Sequence, residues 1–394
     1  MRKFRTAIIG GGASGIIAAI SAKRKGDDVV ICERMPRIGK KILVSGNGRC
    51  NLLNEKLDES FYNQSARPLV GSVLAKFGKD SICKFFKDLG LEIYPEDGRI
   101  FPVTNQSSSV LRVLEMELHG LSVPIELNFD VGRISRSGKG FTISAKDGKS
   151  IECEKLIIAG GGKSYPALGS DGSCHELAKD LGHSIVEPVP AAVPLVVKDR
   201  LCHLLQGQKI FSVARAVIDG KPYRESSGDL LFTKYGLSGT AIIGISEEIS
   251  IALHRLNKKD IHVSVDMAPF MDNHALKAEI GRRIDASWKA EDLLTGILPN
   301  KFGAALRDLL SGGNVENIIK ELKSKLFKVA GTRGWNEAYL TSGGIDTKEV
   351  KEHTLESRLV KGLYFAGEIL DVSGQRGGYN LAWAWASGYV AGSI

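Results

Sequence analysis

The sequence predicts an α/β fold, in which a mostly parallel sheet is interrupted by an inserted β-rich segment and a small α-helical segment. Three observations support this prediction. A β-α-β pattern spans residues 6–32, a buried apolar strand at Leu156–Ala159 runs into a glycine turn, and a similar strand at Gly362–Ala366 follows a long middle section of different periodicity. The 394 residues are enough for two or three domains.

The first β-α-β unit consists of four consecutive segments. They are an apolar strand at Thr6–Ile9, a glycine loop at Gly10–Gly15, an alanine-rich helix at Ile16–Lys25 and a second apolar strand at Val29–Cys32. Because the glycine loop stands between a strand and a helix, it has the structural context that a dinucleotide fingerprint requires.

Gly10-x-Gly12-x-x-Gly15 and Glu33 together predict a Rossmann-like dinucleotide site. Gly10 permits the tight turn, Gly12 lets the backbone approach a pyrophosphate, and Gly15 lets the helix pack closely on the strand. The glycine pattern alone would be weak support. Glu33 strengthens it, because an acidic residue eighteen positions after Gly15 stands where a carboxylate hydrogen-bonds the adenosine ribose.

The segments after this unit alternate between helix and strand patterns up to a proline cluster. In chain order they are a Gly/Asn/Ser-rich loop at Arg37–Asn54, helices at Ser72–Leu89 and Val110–Leu118, short strands at Phe129–Ile134, Gly140–Ala145 and Ser150–Glu152, the strand at Leu156–Ala159 with its turn Gly160–Gly162, and a helix at Gly172–Leu181. Pro188, Pro190 and Pro194 predict a boundary, because proline removes a backbone donor and disfavours helix before it.

Beyond the prolines the pattern changes twice before buried-strand patterning returns. Residues 195–266 predict short alternating strands, and residues 274–326 predict helices. Residues 336–345 are β-like, and a strand at Gly362–Ala366 and a Trp/Ala-rich helix at Tyr379–Val390 end the sequence. The middle section is therefore interpreted as an insertion. Trp383 and Trp385 are expected in the core.

The charge of +8 at pH 7 leaves a nucleic-acid partner open but does not favour it. Basic residues that bind nucleic acid are gathered into a patch or stripe, whereas the basic residues here are scattered. The short runs Lys23–Lys25 and Lys40–Lys41 lie beside glycine loops, where a cofactor phosphate explains them equally well. We expect no nucleic acid and no membrane partner.

The cysteines and the apolar runs predict a cytoplasmic protein. The 6 cysteines are widely spaced, without a CxxC pair or a Cys/His metal spacing, so no metal site is expected and a reducing compartment is favoured. The apolar stretch near the start is broken by Gly10–Gly12 and lacks a cleavage site. No uncharged run reaches the length of about eighteen residues that a membrane helix needs.

The end of the chain distinguishes FAD from NAD. Tyr364–Glu368 is an apolar strand that turns into a Gly367-Glu368 pair, and Arg376–Asn380 opens the final helix. In a flavoprotein this arrangement lets the acidic residue meet the ribityl chain while the helix N-terminus points at the pyrimidine edge, where reduction builds negative charge. We therefore predict FAD as the cofactor, with NAD(P)H as a candidate transient electron donor.

These motifs resemble the BaiN-like flavoproteins, also described as the aminoacetone oxidase family, over nearly the whole chain. The matching stretches are GGGASG at Gly10–Gly15, GKKILVSGNGRCN at Gly39–Asn51, AGGGKSYPALGSDG at Ala159–Gly172, LFTKYGLSG at Leu231–Gly239, TSGGI at Thr341–Ile345 and GLYFAGEILDVSGQRGGYNLAWAWASG at Gly362–Gly388.

The resemblance implies a Rossmann-like FAD-binding domain split by an inserted β-rich domain and a small α-helical domain. The expected bounds are 1–193 for the first part of the FAD-binding domain, 194–267 for the first part of the β-rich substrate domain, 268–328 for the inserted helical domain, 329–345 for the return of the β-rich domain and 346–394 for the second part of the FAD-binding domain.

The predicted cofactor residues combine the glycine motifs with a loop that the resemblance implies along the flavin. They are Gly10, Gly12, Ala13, Ser14, Gly15, Glu33, Arg34, Lys41, Ser45, Gly46, Asn47, Gly48, Arg49, Cys50, Asn51, Val131 by its backbone near the adenine, Ala159, Gly160, Gly161, Gly367, Glu368, Gly378, Tyr379 and Asn380. Arg49 offers planar donors to phosphate or carbonyl oxygens. Cys50 is interpreted as a packed thiol, because no cysteine a few residues away could pair with it.

The catalytic residue is left open, with candidates at Tyr165, Lys163, Lys234, Tyr235 and Gln375. Several positions depart from the family pattern, namely Asn47, Lys163, Lys234, Thr240 and Ala382. Lys163 and Lys234 are expected on the substrate side, so a family member's substrate cannot be transferred directly.

The sequence thus predicts an FAD-dependent oxidoreductase that transfers hydride between the flavin and a small organic molecule. One reading is reduction of an activated C=C bond in an apolar, steroid-like substrate. The alternatives are oxidation of a small amine such as an aminoketone by oxygen, and a flavin-bearing protein that binds or modifies RNA. The sequence does not indicate an oligomeric state.

Overall fold

The computed structural model describes residues 2–138 and 140–394, so Lys139, in a predicted turn between two strands, lies outside the described residues. The chain forms two compact units. The first consists of Met1–Pro188 and Leu340–Ile394, and the second of Val189–Tyr339.

Strands and helices are numbered in chain order. The strands are β1 (Arg2–Ile9), β2 (Val29–Glu33), β3 (Leu53–Asn54), β4 (Ile93–Glu96), β5 (Arg99–Pro102), β6 (Ile125–Leu127), β7 (Val131–Ser137), β8 (Gly140–Ala145), β9 (Ser150–Ile158), β10 (Ile185–Ala191), β11 (Leu195–Val197), β12 (Lys209–Ile218), β13 (Lys221–Thr233), β14 (Gly236–Ser238), β15 (Ile261–Asp266), β16 (Lys325–Thr332), β17 (Leu340–Ile345) and β18 (Leu363–Phe365). The helices are α1 (Ala13–Arg24), α2 (Lys40–Val44), α3 (Arg67–Lys76), α4 (Lys79–Asp88), α5 (Ser107–Gly120), α6 (Ser173–Asp180), α7 (Arg200–Leu204), α8 (Thr240–Ser250), α9 (Asn273–Asp285), α10 (Lys301–Ala305), α11 (Arg307–Ser311), α12 (Val315–Ser324) and α13 (Tyr379–Gly392).

The main sheet of the first unit has the strand order β6-β2-β1-β9-β8-β7, and β18 also pairs with β9. Strands β6, β2, β1, β9 and β18 are parallel, whereas β7 and β8 form an antiparallel extension. Strand β9 is long enough to pair with β8 near Ile151 and with β18 near Ile157. The sheet therefore unites strands from both ends of the chain, and the α/β prediction is confirmed.

Helices α1 and α13 cross closely, and glycine makes this contact possible. Every residue of α1 from Ser14 to Ala22 is buried, which is expected of a helix covered on both sides. A Cβ added at Gly388 would overlap the Ser14 carbonyl oxygen, and one at Gly392 would overlap the Ala18 carbonyl oxygen. Trp383 and Trp385 are buried beside this contact, in agreement with their predicted core position.

We expect Gly388→Ala to destabilise the protein, because the new methyl group overlaps backbone that cannot rotate away. Overpacking of this kind costs about 1–3 kcal/mol. The matched control is Gly281→Ala in α9, where a Cβ meets nothing within 4 Å, and which should be neutral or stabilising by about 0.5–1 kcal/mol. Urea denaturation of the two variants checks this. Equal stability of Gly388→Ala and the natural protein would contradict the close-packing argument.

The second unit contains a closed barrel and a group of helices. The barrel order is β11-β14-β13-β12-β15-β16. Helix α8 lies along β13, since a Cβ at Gly228 would meet Thr240 and a Cβ at Gly244 would meet Ser226. The barrel and helices α8 to α12 share one core that includes Phe232, Phe302 and Phe327.

One predicted helix is divided in two at a glycine, and two prolines of the predicted boundary lie in a strand. The predicted helix Ser72–Leu89 is two helices, α3 and α4, because the chain leaves helical geometry at Phe77 and restarts after Gly78. Pro188 and Pro190, two of the prolines that predict a boundary, lie within β10. Among the described residues this strand pairs with β17 in a two-stranded sheet, and edge strands tolerate proline.

Other differences lie in the region predicted as a loop and in the strands that follow. Residues 37–54 contain helix α2 and strand β3, and the separate strands predicted at Ser150–Glu152 and Leu156–Ala159 are one strand, β9. The hairpin β4-β5 was missed, although its Asp97-Gly98 turn is a strong hairpin signal with positive φ at both residues.

The predicted domain bounds, 1–193, 194–267, 268–328, 329–345 and 346–394, stay a prediction. Among the described residues, none of the helices has both the length and the apolar character needed to cross a membrane.

Candidate functional site

The first glycine loop connects β1 to α1 at the carboxyl edge of the sheet. Gly10 has φ 102°, and a Cβ there would lie 2.5 Å from the Ala159 carbonyl oxygen. A Cβ at Gly15 would overlap the Gly10 carbonyl oxygen. These two glycines are therefore required by the protein's own packing.

Gly12, unlike Gly10 and Gly15, is not required to be glycine by contacts within the protein. Its backbone, at φ −83° and ψ −170°, is open to any residue, and a Cβ there would meet nothing within 4 Å. The described protein atoms therefore give no steric reason for glycine. A ligand that approaches the N-terminus of α1 would supply one, and the exposed amides and helix dipole at this end suit a pyrophosphate.

Glu33 lies at the end of β2 with its carboxylate turned back to the glycine loop. Oε2 accepts a hydrogen bond from the Gly11 amide at 2.6 Å, and Oε1 accepts one from the Met35 amide at 2.8 Å. Burial raises the pKa of Glu33, and the two amide donors partly offset this effect. A carboxylate has about four acceptor positions, so capacity remains for ribose hydroxyls.

The second glycine turn follows β9 and packs against α6 and β17. A Cβ at Gly160 would overlap the Cys174 sulfur, and one at Gly162 would overlap Thr341 Oγ1. Thr341 Oγ1 accepts from the amides of Lys163 (2.7 Å) and Ser164 (3.1 Å), which holds the turn onto β17.

Glu368 is the centre of a hydrogen-bond network that joins four separate parts of the chain. Its Oε2 accepts from Lys41 Nζ at 2.7 Å, and its Oε1 accepts from the Thr341 amide at 2.8 Å and from Ser164 Oγ at 3.3 Å. Lys41 Nζ also donates to Ser164 Oγ at 3.0 Å. The predicted ribityl ligand Glu368 is thus fixed in position by Lys41, Ser164 and Thr341.

The loop Ser45–Asn51 follows α2 and contains an unusual number of left-handed residues. Gly46, Asn47, Gly48 and Cys50 have φ values of 55°, 55°, 84° and 58°. Glycine adopts this conformation freely and asparagine tolerates it, but Cys50 holds it only when the surrounding structure enforces it, and such strain concentrates at functional sites.

Cys50 and Asn51 end this loop with different environments. Cys50 is fully buried, and burial raises the pKa of its thiol to about 12, so the sulfur is protonated at neutral pH. Asn51 Oδ1 is buried and has no hydrogen-bond partner among the described residues. An orphaned acceptor at this position fits a loop that contacts a polar ligand.

The N-terminus of α13 faces the same loop. A Cβ at Gly378, whose φ is 105°, would lie 2.5 Å from the Leu53 carbonyl carbon and 2.9 Å from Asn51 Oδ1. The Tyr379 ring stacks on Phe61 at 4.6 Å between centroids. Asn380 Oδ1 accepts from the Gly374 amide at 2.9 Å and so stiffens the turn before the helix.

Two further predicted cofactor residues interact mainly with protein groups. The Arg34 guanidinium is paired with Asp171 and lies 3.7 Å from Asp130. The Arg49 guanidinium is hydrogen-bonded to Glu96, Tyr94 and Asn105. The donors that we expected Arg49 to offer to a cofactor are therefore largely engaged within the protein. Val131 begins β7 and is buried.

The candidate catalytic residues divide between the two units. Lys163, Tyr165 and Gln375 belong to the first unit, and Tyr165 has φ 55° immediately before Pro166. Lys234 and Tyr235 belong to the second unit, on the turn between β13 and β14. Lys234 is exposed, and the Tyr235 ring lies 4.6 Å below the Arg333 guanidinium.

Comparison with known proteins identifies the family. Residues 4–394 match the family described as "HI0933-like protein Rossmann domain". The chain belongs to this family. It is 40% identical to the 3-dehydro-bile acid delta(4,6)-reductase of Clostridium scindens over 98% of both chains. It is also 30% identical to the ribosomal RNA dihydrouridine synthase of Escherichia coli over 99% of this chain and 97% of that protein.

Solved structures support the fold. The 3-ketosteroid delta1-dehydrogenase of Sterolibacterium denitrificans matches with a TM-score of 0.52 at 13% identity, covering 100% of this chain and 99% of that chain. At this identity the likeness shows the fold alone. The predicted resemblance to BaiN-like flavoproteins is confirmed, and the protein is an FAD-dependent oxidoreductase.

The structure fits FAD at three independent places. Gly12 is open toward the predicted pyrophosphate, Glu33 keeps acceptor capacity for a ribose, and Asn51 Oδ1 is an orphaned acceptor on the predicted flavin loop. The roles of individual residues remain predictions.

Ser164 and Thr341 were missed as site residues, although both lie in motifs that carried the family resemblance. The signal was available, because a hydroxyl residue follows the glycine turn in GGGKS and another precedes the glycine pair in TSGG. His175 was also missed. It is buried, its pKa is lowered by burial, and its Nε2 has no partner among the described residues. Nothing in the sequence distinguishes it.

We expect Gly12→Val to weaken FAD binding by about a hundredfold or more, because it removes the close amide contacts to the pyrophosphate. The matched control is Gly331→Val on β16, where a Cβ is equally open and the backbone is extended. Titration of the apoproteins with FAD, followed by flavin fluorescence, checks this. Similar affinity in both variants would mean that Gly12 does not face the cofactor.

We expect Cys50→Ser to retain FAD and to accept electrons at close to the natural rate. The reason is that the Cys50 side chain is buried, which shields it from solvent and raises the pKa of its thiol to about 12, so that it is not a thiolate at neutral pH. Stopped-flow reduction of the bound flavin and alkylation by iodoacetamide at neutral pH check this. A variant that holds FAD but cannot be reduced, or rapid alkylation of Cys50 in the holoprotein, would indicate a sulfur-flavin mechanism.

Proposed function

We propose that the protein reduces a C=C bond conjugated to a carbonyl group in an apolar, steroid-like small molecule. The observation that carries this proposal is the 40% identity to a 3-dehydro-bile acid delta(4,6)-reductase over 98% of both chains. Identity at this level, spread over both units, favours the same class of reaction.

This proposal assigns each half of FAD to segments of the first unit. The Gly10–Gly15 loop and Glu33 hold the adenosine diphosphate half, and the Ser45–Asn51 loop and the N-terminus of α13 flank the flavin ring. When bound and reduced by NADH or NADPH, the flavin would supply a hydride, two electrons and one proton, to the β-carbon of the conjugated system. NADH or NADPH is the proposed source of the electrons.

The protein's own contribution is to orient the substrate and to deliver a proton to the α-carbon. Tyr165 is our first candidate for the proton donor. A bulky residue at φ 55° before proline is strained, and strain of this kind is retained at functional sites. The hydrogen bonds from the Lys163 and Ser164 amides to Thr341 Oγ1 keep its loop rigid. Lys163 is the second candidate.

A second function, reduction of uridine in RNA, is supported by the 30% identity to a ribosomal RNA dihydrouridine synthase. The ring double bond of uridine is also conjugated to a carbonyl, so the chemistry would be the same. The charge distribution favours the small molecule. Residues 189–339 contain 21 Lys and Arg against 17 Asp and Glu, and the rest of the chain contains 32 against 28, so each unit has a formal net charge of +4 and neither is strongly basic.

The test is anaerobic reduction of the flavin with NADH or NADPH. The reduced protein is then mixed, in separate experiments, with a steroid, with ribosomal RNA and with oxygen. A 4-en-3-one or 4,6-dien-3-one steroid should reoxidise the flavin and gain two hydrogen atoms, as measured by absorbance and mass spectrometry. Unmodified ribosomal RNA should not. If only RNA reoxidises the flavin, the second function is correct. If only oxygen does so, and an aminoketone then reduces the flavin, the protein is an amine oxidase.

Within this test we expect Tyr165→Phe to slow reoxidation by the steroid by about a hundredfold, the scale of general acid catalysis, while reduction of the flavin is unchanged. Tyr223→Phe is the control, because Tyr223 is exposed on β13. An unchanged steroid rate in Tyr165→Phe would exclude Tyr165 as the donor and make Lys163 the next candidate to test.

A further inference from the structure

The strained loop Ser45–Asn51 depends on a hairpin that no motif indicated. Hairpin β4-β5 is closed by the two-residue turn Asp97-Gly98, with φ values of 50° and 73°. Both positive values are typical of a type I′ turn, which matches the twist of paired strands and makes the hairpin rigid.

Arg49 connects the loop to this hairpin and to Asn105 just beyond it. Nη1 and Nη2 donate to the two Glu96 carboxylate oxygens at 2.8 and 2.9 Å, and Nη2 also donates to the Tyr94 hydroxyl at 2.8 Å. Nε donates to Asn105 Oδ1 at 2.8 Å, and the guanidinium lies 4.1 Å over the Phe101 ring. Such a bidentate and stacked arrangement fixes both the position and the plane of the guanidinium.

Tyr94 completes the cluster. Its hydroxyl oxygen accepts from Arg49, and its single proton lies within reach of Glu96 Oε2 at 3.0 Å and of Asn105 Oδ1 at 2.9 Å. The hydrogen bonds from Arg49 hold the pKa of Glu96 below its ordinary value.

The same hairpin also holds the chain just beyond the loop. The Leu52 amide donates to the Ile100 carbonyl at 2.9 Å, and Leu53 pairs with Ile100. The Leu52 carbonyl accepts from Trp385 Nε1 at 3.0 Å. Arg49 and Leu52 are therefore both anchored to β4-β5, on the two sides of the left-handed Cys50 and the orphaned Asn51 acceptor.

We propose that Glu96 and Tyr94 are positioning residues for FAD, which act through Arg49 to hold the Ser45–Asn51 loop in its strained, cofactor-ready form. This inference rests on the predicted position of the loop along the flavin, and it does not depend on the identity of the substrate. Arg49 on this view does not contact the cofactor phosphates but fixes the backbone that does contact the cofactor.

The test uses the full-length holoprotein. We expect Glu96→Gln and Tyr94→Phe to release FAD about three- to tenfold faster, because each variant loses part of a half-exposed ion-pair network. The rise of flavin fluorescence on dilution measures the release rate. Trypsin should also cut faster after Arg49. The control is Glu225→Gln, which breaks the cross-strand pair of Glu225 with Arg215 on β12 and β13 and should change neither reading.

A double variant separates positioning from general stability. If Glu96 acts through Arg49, the effects of Arg49→Lys and Glu96→Gln on FAD release should not add, whereas independent effects would add. Additive effects, or FAD release unchanged in both Glu96→Gln and Tyr94→Phe, would overturn the proposal. Equal acceleration in Glu225→Gln would also overturn it, because the effect would then be one of surface charge. Failure of steroid reduction would leave these readings unaffected.

Discussion

The constraint on which the first unit depends is the close approach of backbone to backbone at the start of α1. Gly15 lies against the Gly10 carbonyl, Gly10 against the Ala159 carbonyl, and Gly388 of α13 against the Ser14 carbonyl. Each contact leaves no volume for a side chain, so the two glycine turns and the last helix are locked around one point. Because the N-terminus of α1 is also the predicted pyrophosphate site, the packing of the fold and the geometry of the cofactor site are set by the same contacts.

Glu368 extends this arrangement from packing to polar chemistry. The residue follows β18, which pairs with the end of β9, beyond the part of β9 that pairs with β8. Its carboxylate accepts hydrogen bonds from Lys41, Ser164 and the Thr341 amide, three groups that are far apart in sequence. The position of Glu368 is therefore tied to α2, to the second glycine turn and to β17. Sheet topology is the reason why these residues can meet.

Much of this could be predicted from the sequence, because the glycines and Glu33 act through local backbone rules. Gly10, Gly12 and Gly15 stand between a strand and a helix, which is the arrangement typical of a dinucleotide site, and the end of the chain showed the same kind of pattern at Gly367-Glu368. The network around Glu368 and the Arg49 cluster could not be predicted in this way. Both depend on which side chains meet across the folded sheet, and a spacing in sequence carries no information on a partner that is tens or hundreds of residues away, as Glu96 and Thr341 illustrate.

The charges at the site bear on how the cofactor would be held. Three basic residues were expected to contact FAD, and each is paired with an acidic group: Arg34 with Asp171, Lys41 with Glu368, and Arg49 with Glu96. The negative charge of a pyrophosphate would then be met mainly by the amides and dipole at the start of α1 rather than by these cations. Backbone amides recognise a phosphate at short range and fixed geometry, whereas free cations would attract any polyanion. Recognition of the pyrophosphate would then depend on the exact position of the backbone at the start of α1, which the Gly10, Gly15 and Gly388 contacts fix.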